Sequence, residues 1–442
     1  MSRMILSRFA ARTALAVLAL SLVSPAIAQT VAITGGTVAI GDGSAPIPNG
    51  TVVIQNGRIV AAGAGVAVPA GAQTIDATGK WVTPGLVAGF SRVGLMEVPG
   101  VEETNDAEAD KSPYSAAIDI APAINADVSA IAFSRAGGIT RAVVSPGVGK
   151  GIFAGQGAII DLGADMQPVM KARAFQFVEW GESGRGNGGG SRASMDLTFR
   201  EMLRAAKRIA ANPAAIDANA TDGLMTRADA QALLPVVNGT TPLLIHAESA
   251  HDILQALDLR GEFPALKLVL VGASEGWRVA PQIAAAKVPV IASALNDLPA
   301  SFEMLAATQS NIGRMKKAGV TVAIGMINDN DGQQARYTPQ YAGNLVALTK
   351  VPGASGLSWG EALAAITSAP AEAMGMGDRF GSLRAGRVGD VVLWDGDPLE
   401  LTSTPVGIWI DGVQQPLESR QTRLRDRYRS LAPASLPPAY QR

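Results

Sequence analysis

Between about residues 81 and 370 the chain alternates apolar runs of strand length with longer stretches of helical pattern. Residues 140–145, 174–178, 242–245, 266–271, 288–292 and 320–324 read as strands, and residues 195–211, 248–259 and 273–286 as helices. That rhythm predicts a parallel sheet, because parallel neighbours need a long crossover and a helix is the usual one. With a further run beginning at Leu86, the pattern approaches the eight units of a closed β/α barrel. Apolar residues make up 48% of the 442, enough to fill such a core.

The flanks follow a different rule. Residues 31–34, 51–54 and 58–62 read as short strands, and Asn56-Gly57 predicts a hairpin between the last two. Both positions of such a turn need positive φ, which Asn and Gly tolerate. Residues 381–398 and 406–412 return to strand pattern, with Asp411-Gly412 as a second hairpin signal. From about residue 421 the chain reads as an arginine-rich helix and then a loose end. At the other terminus, Arg3, Arg8 and Arg12 precede an apolar run, and Ala26-Ile27-Ala28 fits a small-x-small cleavage site. These are the parts of a secretory signal peptide cleaved after Ala28. The apolar run is shorter than the roughly 20 residues needed to cross a bilayer. The mature chain is therefore expected to be exported, periplasmic and without a membrane span.

Composition removes several chemistries. With 0 cysteines there is no disulfide, thiolate metal site or cysteine nucleophile, and with 2 histidines metal chemistry is sharply restricted. A net charge of −1 and a pI near 6.2 give no reason to expect nucleic acid as a partner.

Residues 79–95 read Gly-Lys-Trp-Val-Thr-Pro-Gly-Leu-Val-Ala-Gly-Phe-Ser-Arg-Val-Gly-Leu: a strand, a break at Pro84-Gly85, and a second strand. The string resembles the entry to the catalytic barrel of the amidohydrolase superfamily, closest to its imidazolonepropionase-like branch. Further matching pieces are Ser145-Pro146-Gly147 running into Gly155-Gln156-Gly157, the segment around His246, and residues 381–392 of the tail. The resemblance implies an α/β fold, a (β/α)8 TIM-like barrel with a composite β-sandwich from both terminal segments. The implied divisions are a signal peptide at 1–28, sandwich at 29–80, barrel at 81–375, sandwich again at 376–420, and a tail at 421–442.

The resemblance also implies hydrolysis of C–N bonds in cyclic amides or acyl-amino-acids, with a divalent metal lowering the pKa of its bound water. Relatives place His-x-His after the first strand, histidines after the fifth and usually the sixth, and an Asp after the eighth. Here the first pair is Phe90 and Arg92, a ring without a lone pair and a cation that only donates. His246 keeps the fifth-strand position, Gly272 stands at the sixth, and Ile327 stands at the Asp position. Asp329 lies two residues beyond and would serve as proton acceptor after a small backbone shift. A catalytic zinc site takes about three protein ligands and a water. No cofactor is therefore expected, and a zinc or harder ion binds only if His246, Asp329 and a loop carboxylate rebuild the site. The competing reading makes His246 a relic, hydrogen-bonded in a polar pocket, with His251 a surface or supporting residue. A Ser91 or Ser145 pairing with His246 rests on shared strand ends alone.

Arg92, with Ser91, Glu275 and Arg141, offers bidentate donors to a carboxylate-bearing small molecule. Two loops are expected at the barrel mouth: the carboxylates Glu97, Glu102, Glu103, Asp106, Glu108 and Asp110, and the glycine-rich run 181–191, read as a lid. Two functional readings follow. One is a hydrolase by descent, metal-free or weakly active. The other is a non-catalytic ligand-binding or scaffold pseudoenzyme, in a homo- or hetero-oligomer with another amidohydrolase.

Overall fold

A computed structural model describes residues 30–98, 100–212, 223–294, 296–327 and 334–429. The signal-peptide segment 1–28, Asp329 and the end of the tail lie outside the described residues.

Two eight-stranded sheets organise the chain. The first mixes both ends of the sequence. It contains β1 (Val31–Val38), β2 (Ile47–Gln55), β3 (Arg58–Gly63), β4 (Gln73–Asp76) and β5 (Trp81–Pro84). From the far end come β14 (Val391–Trp394), β15 (Pro405–Ile410) and β16 (Val413–Gln414). The strands run β16-β15-β14-β5-β1-β2-β3, with β4 beside β1. Asn56 (φ 54) and Gly57 (φ 72) form the β2–β3 turn, and Asp411 (φ 51) and Gly412 (φ 78) the β15–β16 turn, as the two hairpin signals require. The expected sandwich is one continuous hydrogen-bonded sheet that curls until these turns meet. A Cβ on Gly57 would lie 2.6 Å from the Asp411 carbonyl oxygen. Ile33, Val52, Ile54, Val391, Leu393 and Trp409 share its enclosed core.

The second sheet contains β6 (Leu86–Ser91), β7 (Ile139–Val144), β8 (Phe153–Asp161), β9 (Val169–Glu179), β10 (Leu243–Ala247), β11 (Leu268–Gly272), β12 (Val290–Ala292) and β13 (Val322–Ile324), hydrogen-bonded in that order. It is a nearly closed barrel. At the seam, the Met326 N–H donates to the Phe90 carbonyl at 2.9 Å. One strand departs from the expected eight-unit repeat: β8 runs antiparallel to both β7 and β9. The reason is chain length. The links on either side of β8, residues 145–152 and 162–168, are too short for a crossover helix, so the chain must turn straight back.

Helices cover the barrel's outside: α1 (Ser129–Ala136), α2 (Gly181–Gly184), α3 (Arg192–Ala211), α4 (Arg227–Val237), α5 (Ala250–Glu262), α6 (Ala280–Ala286), α7 (Asn311–Lys317), α8 (Thr338–Ala347) and α9 (Trp359–Ala365). Several start where the sequence offers a cap. Ser191, Thr226, Ser249 and Ser358 each accept a backbone N–H three residues on. Alternate strand residues fill the interior, among them Val143, Ile159, Phe175, Phe177, Leu244, Val269 and Ile291. Ala369 and Ala371 of α10 (Ser368–Ala373), with Met374 and Phe380, join this cluster. A last helix, α11 (Arg420–Tyr428), follows the first sheet.

The two sheets are joined by an ion cluster around a buried arginine. Arg141 of β7 is 1% exposed, and its Nε lies 2.6 Å from Asp390, the residue before β14. Its Nη2 lies 2.8 Å from Asp390 and 2.8 Å from Asp411. Burial alone would weaken the guanidinium's charge, but the Asp390 and Asp411 carboxylates raise its pKa above the ordinary arginine value. Arg141 is thus consumed in joining the units. Asp390→Ala would strip away the bidentate partner of a buried charge, and should lower unfolding free energy by about 3 kcal/mol. Denaturant titration measures it; a loss under about 1 kcal/mol contradicts the role.

Candidate functional site

The C-terminal ends of β6, β9, β10 and β11 form the mouth of the barrel, and parallel register decides which side chains meet there. β9 and β10 pair so that His246 stands opposite Glu179, while β10 and β11 set Ala247 opposite Gly272. His246 Nδ1 lies 2.6 Å from Glu179 Oε1, and Nε2 lies 2.8 Å from Glu248 Oε1. The Ser274 N–H donates to the other Glu248 oxygen at 2.8 Å.

An ionised carboxylate only accepts, so a ring nitrogen facing one must carry a proton. With a carboxylate on each nitrogen, His246 is an imidazolium. Burial opposes that charge, but Glu179 and then Glu248 outweigh it, and the His246 pKa is raised well above 6.5. Burial would raise the Glu248 carboxyl, yet its bonds to His246 and Ser274 hold it below its usual range.

A third carboxylate borders this clamp. Glu303, from the loop after β12, accepts the Glu182 N–H at 2.7 Å, and Arg192 lies 3.9 Å away. Burial pushes its carboxyl up; the Glu182 N–H and His246 oppose that, while Glu248 and Asp252 add to it. Arg192 also donates to the buried Asp252 at 3.1 Å. A cavity of about 340 Å³ lies on the outer side of this pair, lined by Trp180, Arg192, Met195, Asp196, His251 and Asp252.

The positions at which the resemblance implied metal ligands are occupied as follows. Phe90 is 3% exposed and meets Phe177 edge-on, with ring centroids 5.3 Å apart. A register irregularity in β6 turns both Val87 and Phe90 into the barrel's apolar cluster, and Ile327 packs against the same cluster. Arg92 lies 3.7 Å from Glu108 of the acidic loop. At Gly272 (φ 85), a Cβ would fall 2.5 Å from Glu248 Oε1 and 2.7 Å from His246 Cδ2. Glu248 therefore takes up the space a larger residue at 272 would need.

Ser91 is buried, and its hydroxyl donates to the Val143 carbonyl at 3.1 Å. Glu275 accepts the Ala250 and Ala306 N–H groups and Arg278 Nη1, so it staples three loops. Ser145 donates to the Pro146 carbonyl. The sequence reading missed Glu179, Glu248 and Glu303. Glu179 was detectable as a carboxylate ending the inward alternation Phe175, Phe177.

These residues do not fit a catalytic divalent ion. Among the described residues no group of three or more His, Asp or Glu is arranged to hold one. The one retained imidazole has both nitrogens committed as donors.

Comparison with known proteins agrees with the fold. The profile of the amidohydrolase family matches residues 273–414. Over 384 residues the chain is 25% identical to amidohydrolase tasK of Hapsidospora irregularis, covering 79% of this chain and 38% of that protein. The chain thus spans well under half of that relative's length. An amidohydrolase from Thermotoga maritima MSB8 superposes with a TM-score of 0.76 at 24% identity, covering 87% of this chain and 99% of that one. Molinate hydrolase superposes with a TM-score of 0.51 at 18% identity, covering 88% and 95%. The superposed structures show the fold, and the sequence matches are to amidohydrolases.

The clamp sets a pH dependence. His246 is raised, so its contribution to stability is complete below pH 6.5 and is lost as pH rises through its folded-state value. Glu248 is lowered, so its contribution is complete above pH 4.5 and is lost as pH falls through its folded-state value. His246→Gln should cost about 3 kcal/mol at neutral pH, because two carboxylates lose the charge between them. It should also flatten the alkaline limb of the stability profile; equal alkaline losses in variant and wild type would contradict the clamp.

Proposed function

We propose that this chain is an exported, metal-independent member of the amidohydrolase superfamily that binds a small polar ligand rather than hydrolysing it. Descent points to C–N bond hydrolysis, and the family match supports that ancestry. The observation that carries the proposal is the imidazolium of His246 held between Glu179 and Glu248. A divalent ion would have to displace a bound proton there, and would find a phenyl ring and an aliphatic chain where further donors are needed.

The ligand reading rests on the 340 Å³ cavity between α3 and α5, at the Arg192–Asp252 pair. That volume is at the small end of ligand pockets, which run from about 300 to 1,000 Å³. Buried Trp180 and Met195 give it an apolar floor, and Arg192, Asp196, His251 and Gln255 give it polar walls of both signs. A small molecule with an apolar body and a zwitterionic or amide head matches that lining. Arg92, expected from the sequence to grip a carboxylate, instead lies beside Glu108. It contributes to the mouth's charge balance in this reading.

Two measurements decide it. Purified mature protein, incubated with zinc or manganese and desalted, should retain well under one equivalent of metal by elemental analysis. Panels of cyclic amides and acyl-amino-acids should show no turnover above background with either metal added. Stoichiometric metal with turnover that vanishes in His246→Ala would overturn the proposal and restore the hydrolase.

A further inference from the structure

The helix α11 is poorly explained by its own chain. It packs against α1, yet buries none of its residues. Helices this short are marginal alone, since about 12–15 residues are needed even for good helix formers. A capping box at Ser419 and Thr422 starts it. It carries Arg420, Arg423, Arg425 and Arg427, with Arg429 at its end, against the single Asp426. Arg420, Arg423 and Arg427 recur at spacings that align them on one face. Leu424 and Tyr428, four residues apart, form an exposed stripe beside them.

The complement lies next door on the same molecule. Residues 102–111 hold Glu102, Glu103, Asp106, Glu108 and Asp110, all exposed, against Lys111 alone. Exposed Val98 and Val101 adjoin them. The two patches are neighbours: Arg420 Nη1 lies 3.8 Å from Glu97, which also caps α1 through Ser129. A basic face and an acidic face side by side form a self-complementary surface. A two-fold axis between two such surfaces sets each basic face on the other copy's acidic face, which is the geometry of an isologous dimer. The apolar residues on both patches then meet inside the charged ring, as interface cores do.

We propose that α11 docks on the 102–111 loop of a second copy, forming a two-fold dimer. Because that loop leads from β6 and reaches Arg92 at the mouth, the partner's arginines lie along the edge of the candidate site. The inference does not depend on whether the mouth binds metal or ligand.

The test is a charge exchange in the full mature chain, read by analytical ultracentrifugation. Wild type should be dimeric near 0.1 M salt and shift toward monomer near 1 M, where the screening length falls from about 10 to about 3 Å. Arg423→Glu with Arg427→Glu should be monomeric, and so should Glu102→Arg with Glu103→Arg. Mixed together, the two variants should form a heterodimer, since both contacts are then attractive. The milder Arg423→Gln with Arg427→Gln keeps the helix and should weaken the dimer at least tenfold. A wild type that is monomeric at low salt, dimers that survive both reversals, or a mixture of folded variants that stays monomeric would each overturn the proposal.

Discussion

A single proton pair governs the mouth of this barrel. Two carboxylates grip one imidazole, and neither can supply a hydrogen, so both ring nitrogens must. The ring is then a cation, and the three groups together carry one net negative charge. Removing the imidazolium leaves two carboxylates without their cation, and removing a carboxylate leaves a ring N–H without its acceptor, in a site where His246 is only 17% exposed. This is costly in a way that an exposed pair is not. It also spends the lone pair that a metal would use.

The neighbouring substitutions fit the same logic. Phe90 lies in the apolar interior and Ile327 packs against it, so these two positions offer core packing where the resemblance implied ligands. Gly272 leaves room for Glu248, which closes the clamp from the β11 side. Arg92 lies against the acidic loop, so its charge is balanced at the rim. Below, Arg141 joins the barrel to the curled sheet through Asp390 and Asp411, which fixes the orientation of β7 and of the loops it feeds.

Much of this was legible in residue order. The alternation of strands and helices, the two hairpin turns and the arginine-rich final helix follow from local pattern alone. The antiparallel β8 did not, because Gly155 and Gly157 interrupt its apolar run and only link length betrays its direction. The clamp was half visible. His246 stood out as one of 2 histidines. Its partnership with Glu179 depends on strand register, which no local window contains. Glu303 reaches the site from a loop after β12, and sequence distance hides such contacts. Ser91 and Glu275 hydrogen-bond to backbone groups, as buried hydroxyls and carboxylates near strand ends commonly do, and those partners are distant in sequence.

The claim on which the account stands is the double protonation of His246. With 2 histidines in the whole chain, ring nitrogen signals can be assigned by comparison with a His251→Gln variant. Nitrogen-15 spectra recorded across pH, with and without excess zinc, report the protonation of each ring nitrogen directly. The account predicts that both nitrogens of His246 stay protonated well above pH 6.5 and that zinc leaves them unchanged. A neutral ring at pH 7, or a nitrogen that loses its proton when zinc is added, would contradict it.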